Sequence, residues 1–108
     1  MSLPTDAGAR KAVPLYSGVL KYFPRALCAV AECSYRGNQQ HNPGKPLHWD
    51  RSKSGDHLDC LLRHLTDDLL GVALDTDQTA HLTKVAWRAL AALEVHLEQA
   101  AAHKAAAR

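Results

Sequence analysis

The sequence predicts an all-α fold, a compact bundle of about four helices with a long binding loop between helices two and three. Three observations carry this: apolar residues recur at helical spacing in each periodic stretch, strand-type alternation is absent, and helix-start and helix-stop residues sit at the ends of those stretches. A chain of 108 residues is about one domain and can bury a modest core without staples. Residues 1–12 are small, polar and charged without periodicity and read as a flexible N-terminal arm; residues 13–108 read as a single helical domain.

The first helix is expected from Pro14 to about residue 22. Proline is tolerated in a first turn, and Leu15, Val19, Leu20 and Phe23 follow at helical spacing. Pro24 restarts the chain, Leu27, Val30 and Ala31 continue an apolar face to Tyr35, and Gly37 supplies a stop for the second helix. The third helix is expected from Ser54 as N-cap, with Asp56 and Asp59 favourably placed against the helix dipole, to a close at Gly71. On a wheel of about 100° per residue, Leu58, Leu61, Leu62, Leu65 and Leu69 share one arc and predict the core face, with His57, His64 and Asp68 along its edge. A linker over residues 72–76 leads to the longest helix, from about Asp77 to at least Gln99, with Thr76 or Asp77 as N-cap. Its alanines permit close approach of a neighbour, and the alanine-rich end beyond Glu98 either frays or serves self-association.

Composition narrows the function. Lys and Arg number 13 against 11 Asp and Glu, a formal charge of +2, too balanced for a protein whose main work is binding a nucleic acid polymer. The three cysteines, Cys28, Cys33 and Cys60, are odd in number and lack metal-finger spacing, which favours a reducing cytoplasm over a disulfide framework. No stretch has the apolar run of a signal peptide or a membrane span. Seven histidines suit a polar pocket, since neutral imidazole both donates and accepts hydrogen bonds.

The candidate site is the connection from Gly37 to Lys53 and the helix that follows. It holds two glycines, two prolines, two histidines and a tryptophan, too many hydrogen-bonding and turn-forming groups for a passive tether. Asn38, Asn42 and His48 can read the edge of a base and Trp49 can stack on it, or Trp49 caps the core; His41 belongs to the same loop. His57 and His64, two turns apart and so on one face, either donate to phosphate or base, or are structural, or ligate a metal. His81, Lys84 and Arg88 form one basic stripe which, with Arg51, Lys53 and Arg63, either takes a phosphate or is a solvated face. Asp56 and Asp59 at i, i+3 either hold a hard cation such as Mg²⁺ or complement the helix dipole.

Gly37-Asn38, His41-Asn42-Pro43-Gly44, the run from Pro46 to Arg51, Asp56-His57, Arg63-His64-Leu65, His81-Leu82 and Val85-Ala86-Trp87-Arg88 together resemble the small phage-encoded domains grouped as dATP/dGTP diphosphohydrolase, N-terminal type. The resemblance covers roughly residues 14–98. It implies a nucleotide-handling protein of the host cytoplasm, similar to a purine (deoxy)nucleoside triphosphate diphosphohydrolase, acting on a small-molecule nucleotide. Helical pyrophosphohydrolases of the MazG type hold metal with a Glu-x-x-Glu pair followed by a Glu-x-x-Asp pair. Here only Glu32, Glu94 and Glu98 are present, none in that pattern, and Walker, Gly-x-Ser-x-Gly and His-Asp signatures are absent. The second reading is therefore a protein that binds and sequesters a nucleotide or cyclic nucleotide used in host defence. Four short helices bury limited apolar area, so a homo-oligomer is expected in either case.

Overall fold

The computed structural model describes residues 2–53 and 55–107. It is all-α, in the order α1 (Ala7–Lys11), a single π turn (Tyr16–Leu20), α2 (Pro24–His41), a 3₁₀ turn (Arg51–Lys53), α3 (His57–Leu69) and α4 (His81–Ala106). Helix α4 packs mainly on α3 and secondarily on α2. Among the described residues the nearest approach to a sheet is one isolated bridge between Leu74 and Ala80.

Several boundaries differ from expectation. The N-terminal arm contains α1, capped by Asp6 accepting from the Ala9 amide, although none of its side chains is buried. The helix expected after Pro14 is one π turn. Helix α2 runs through Gly37 to His41, so Asn38 and His41 lie on a helix and the loop begins at Asn42. The glycine does not stop the helix because Asn38 carries the stabilising contacts one residue on. Its amide donates to the Lys45 carbonyl at 3.1 Å and its oxygen accepts from Asn42 at 3.3 Å, folding the loop back on the last turn of α2. The Ser54 cap lies outside the described residues; Asp56 is the observed N-cap of α3.

Helix α3 ends as its sequence predicts. Gly71, at φ +89°, closes a Schellman arrangement in which the Val72 amide donates to the Asp67 carbonyl and the Gly71 amide to that of Asp68. Helix α4 begins at His81 rather than Asp77. Asp77 is spent earlier: its carboxylate accepts from the Thr79 amide at 3.0 Å, and Gln78 takes φ +69° to turn the chain back. The Asp75 amide donates to the Thr79 carbonyl and the His81 amide to that of Ala73, so the link is a closed turn and not a linker.

The expected core face is only partly buried: Leu61 and Leu65 are half-buried, and the most buried positions lie elsewhere. On α3 the buried residues are His57, Cys60 and His64, whereas Leu58, Leu62 and Leu69 are 63%, 58% and 76% exposed. On α4 the buried residues are His81 and Ala91, while Leu82, Leu90, Leu93 and Leu97 stay exposed. The residues that α3 and α4 bury are three histidines with Cys60 and Ala91. A folded monomer of 11.8 kDa exposes about 5,900 Å² by the usual scaling, against 8452 Å² here, an excess of about 2,500 Å².

Two glycines give opposite expectations. A Cβ at either Gly37 or Gly71 meets nothing within 4 Å. Gly37 is helical, so Gly37→Ala should stabilise the fold by about 0.5–1 kcal/mol, whereas Gly71→Ala at positive φ should cost about 1–2 kcal/mol. Thermal or urea melts of the two variants check both signs.

Candidate functional site

The C-terminal half of α2, the loop after it, the N-terminal half of α3, the 75–79 turn and the first turns of α4 enclose a cavity of about 1030 Å³. This is ample for a nucleotide, since small-molecule pockets run about 300–1,000 Å³. Asn38, His41, Asn42, His48, Trp49, Asp56, Arg63, His64, Lys84 and Arg88, all expected at the site, line it. Arg51, His57, His81 and Asp59 do not.

Arg51, His57 and His81, outside the wall, have other partners. Arg51 donates to Glu98 at 2.6 Å and stacks its guanidinium 4.3 Å over the Trp49 ring. Trp49 also meets Trp87 and His57 edge-on, at 5.6 and 6.0 Å between centroids, and its indole Nε1 is buried without a hydrogen-bond partner. The ring is thus a wall between cavity and core, with one face taken by arginine. Trp87 is fixed in turn by donating to the Ser34 hydroxyl at 2.6 Å, which joins α4 to α2.

His57 stands behind Arg88, whose Nη1 donates to its Nδ1 at 3.0 Å. Arginine offers no acceptor, so this bond requires an unprotonated Nδ1. Burial, then the Arg88 charge, push the His57 pKa down, which the neighbouring Asp56 only partly offsets. His64 is likewise pushed down by burial first and by Lys84 next, and its Nδ1 lies 2.9 Å from the Nδ1 of His81. In that contact one imidazole must donate and the other accept.

The carboxylates of the wall are engaged. Lys84 reaches Asp75 at 2.5 Å and Asp77 at 3.0 Å. The Lys84 bond, then the Thr76 amide, hold Asp75 down at a pKa of about 2. Burial acts to lower Lys84, but the two aspartates outweigh it and raise its pKa. Asp50 accepts from the amide and hydroxyl of Ser52, and Asp56 accepts from the Cys60 thiol at 3.4 Å. Arg63 gives the same sulfur a long contact at 3.7 Å. Burial also raises the Cys33 thiol pKa, leaving it a poor nucleophile on the wall.

A family model described as dATP/dGTP diphosphohydrolase, N-terminal, matches residues 5–105. The chain belongs to that family. No curated protein and no solved structure matches it. As a member of the dATP/dGTP diphosphohydrolase N-terminal family it is a nucleotide-handling protein, and among the described residues no helix is long and apolar enough to cross a membrane.

Sequence reasoning missed Arg36, Asp75, Asp77 and Thr79, all on the cavity wall. Arg36 pairs with Glu32 at 3.0 Å and donates to the buried Thr79 hydroxyl at 3.4 Å, tying α2 to the 75–79 turn. The Asp-x-Asp spacing, with Lys84 seven residues after the second aspartate, was the available signal.

A pH test follows from His57. Its folded pKa lies below the ordinary 6.5, so the unfolded chain binds the proton more tightly. The group is neutral toward stability above that value and withdraws stability as pH falls through it toward the folded pKa. Melting temperatures from about pH 8 to about pH 5 should fall less steeply in His57→Gln, whose amide oxygen still accepts from Arg88, than in wild type.

Proposed function

We propose that the chain binds a purine (deoxy)nucleoside triphosphate in the 1030 Å³ cavity, with the phosphates against Arg63 and Arg88 and the base toward the loop that carries His48 and Trp49. The observation that carries this reading is the pairing of guanidinium groups from two helices with an aromatic and amide-bearing loop across one cavity, within a family named for dATP and dGTP. Arginine forks match phosphate oxygens geometrically. Lys84 contributes less than the sequence suggests, because two aspartates already neutralise it. His64 can donate to a phosphate oxygen from the same wall.

In the hydrolytic form of the proposal, water attacks phosphorus and pyrophosphate leaves, giving a nucleoside monophosphate. Mg²⁺ enters only as the counter-ion of the phosphates. This form of the proposal does not draw on Asp56 and Asp59 as a metal pair, since Asp59 lies outside the cavity lining and Asp56 accepts from the Cys60 thiol. The second reading, a phage-encoded sequestering protein directed at a linear or cyclic nucleotide of host defence, draws on a specific observation. Asp75 and Asp77 are both paired with Lys84, Asp50 is bonded to Ser52 and Asp56 to Cys60, and none of the three glutamates lines the cavity.

Incubating the protein with dATP, dGTP and a cyclic dinucleotide, denaturing it and chromatographing the supernatant separates the two. Monophosphate and pyrophosphate in excess of protein mean turnover; intact ligand at stoichiometric amount means sequestration; neither would remove the nucleotide reading. Arg63→Ala should weaken calorimetric affinity by about 1.5–3 kcal/mol, roughly ten- to hundredfold. Asp59→Ala, outside the cavity, should leave affinity unchanged.

The same proposal includes a second copy of the chain over the exposed leucines. Exposed Leu58, Leu62 and Leu69, with half-buried Leu65, recur at the 4-3-4 spacing of a helix-pairing seam, on the side of α3 away from His57, Cys60 and His64. Covering half the surface excess on each of two chains would bury about 2,500 Å² in total, as obligate homodimers do. Sedimentation at tens of micromolar should give a dimer or larger assembly, and Leu62→Glu with Leu69→Glu should yield monomer. A wild-type monomer would defeat this part alone.

A further inference from the structure

Where α3 meets α4, three side chains from separate segments converge: His64 of α3, Asp75 of the connecting turn and His81 at the first position of α4. One ligating atom from each lies within 4.8 Å of the others. We propose that these three residues form a site for a divalent first-row transition ion of the Zn²⁺ class, with Asp75 shared between the ion and Lys84.

The donor set selects the metal. Two imidazole nitrogens and one carboxylate oxygen suit zinc, manganese, iron, cobalt or nickel, and not Mg²⁺, which prefers an all-oxygen shell. Both histidines are fixed by burial, His64 at 8% exposure and His81 at 3%. Their facing Nδ1 atoms are 2.9 Å apart. Two nitrogens bound about 2.0–2.1 Å from one ion are separated by about 2.9 Å at a right angle and about 3.3 Å at the tetrahedral angle, so the Nδ1 spacing fits one ion once the proton shared by the two rings has moved to an Nε2 or been released.

The surroundings agree. Asp67 Oδ2 lies 3.7 Å from His81 Nε2, in the place of the outer carboxylate that orients a metal-bound imidazole. Lys84 is the obvious competitor, since it holds an Asp75 oxygen. It also holds Asp77, so an ion that takes an Asp75 oxygen leaves the ammonium paired. Asp67, Asp75 and Asp77 outnumber the nearby cations Lys84 and Arg63 around the histidine pair, so the local charge favours a cation. Three protein ligands leave coordination positions open, and His64 and Asp75 both line the cavity. That the open positions face nucleotide phosphate rests on the reading above; metal binding itself does not.

The test uses the untagged chain, stripped with a chelator and free of nucleotide. Co²⁺ titration should produce visible ligand-field bands that saturate at one ion per chain, and Zn²⁺ should displace them. His81→Ala and Asp75→Asn should each weaken binding by about tenfold or more, while Asp59→Asn should not; circular dichroism reports whether each variant is folded. Absence of a saturable band in wild type overturns the proposal without reference to any variant, as does binding that survives in folded His64→Ala and His81→Ala. Nucleotide affinity is titrated separately in chelator, so failure of the metal site and failure of the nucleotide site give different results.

Discussion

The structure depends on one constraint: the buried contact between α3 and α4 is polar. His57 and His64 on one helix and His81 on the other are taken out of water, and a buried imidazole is tolerated only with a partner. His64 and His81 partner each other across the interface, and His57 is met by Arg88. These pairings fix how the helices lie along one another. They also fix the 75–79 turn, because Lys84 on α4 holds Asp75 and Asp77, and the turn closes against it through a left-handed Gln78. The cavity follows from this, since His64, Lys84 and Arg88 beside this seam line it together with the end of α2 and the loop that Asn38 folds back.

The number and rough position of the main helices were legible because apolar periodicity and breakers report local structure. The errors have a common cause: residues whose side chains serve tertiary contacts were read as local signals. Gly37 looked like a stop, but the helix is carried past it by Asn38 bonding to Lys45. Asp77 looked like an N-cap, but its carboxylate is engaged by Thr79 and Lys84. The wheel of α3 separated leucines from histidines correctly, but only Leu61 and Leu65 of the five leucines are half-buried and the deepest positions are His57, Cys60 and His64. Amphipathicity reports that a helix has two faces; it does not report which of them the same chain covers.

The site was legible to the extent that it is contiguous in sequence. The loop residues Asn42, His48 and Trp49 and the α3 residues Arg63 and His64 do share a cavity. Pairings between segments were not readable. His57 and His64 invite pairing because they are two turns apart on one helix, yet the close partner of His64 is His81, 17 residues on. Asp75 was passed over as a linker residue and Asp77 as an N-cap, although together they neutralise the lysine expected to meet phosphate. Arg51 looked equivalent to Arg63, but an ion pair with Glu98 and the Trp49 face hold it outside the wall.

The exposed leucines of α3 and α4 connect the site to the proposed assembly. A polar interface contributes little net stability, because each buried group gives up water in exchange for its partner and a hydrogen bond nets only about 0.5–1.5 kcal/mol. Burial of apolar surface stabilises more, at roughly 25 cal/mol per Å², and on α3 and α4 most large apolar side chains face outward. The helices that help to line the cavity therefore gain little from each other and would gain most from whatever covers Leu58, Leu62 and Leu69 behind them. With a second copy there, the driving force sits on the outer faces and leaves the inner ones free to carry imidazole, carboxylate and guanidinium groups. A monomer that buried its leucines internally would have to put those same polar groups on the outside, and the cavity would lose that part of its lining.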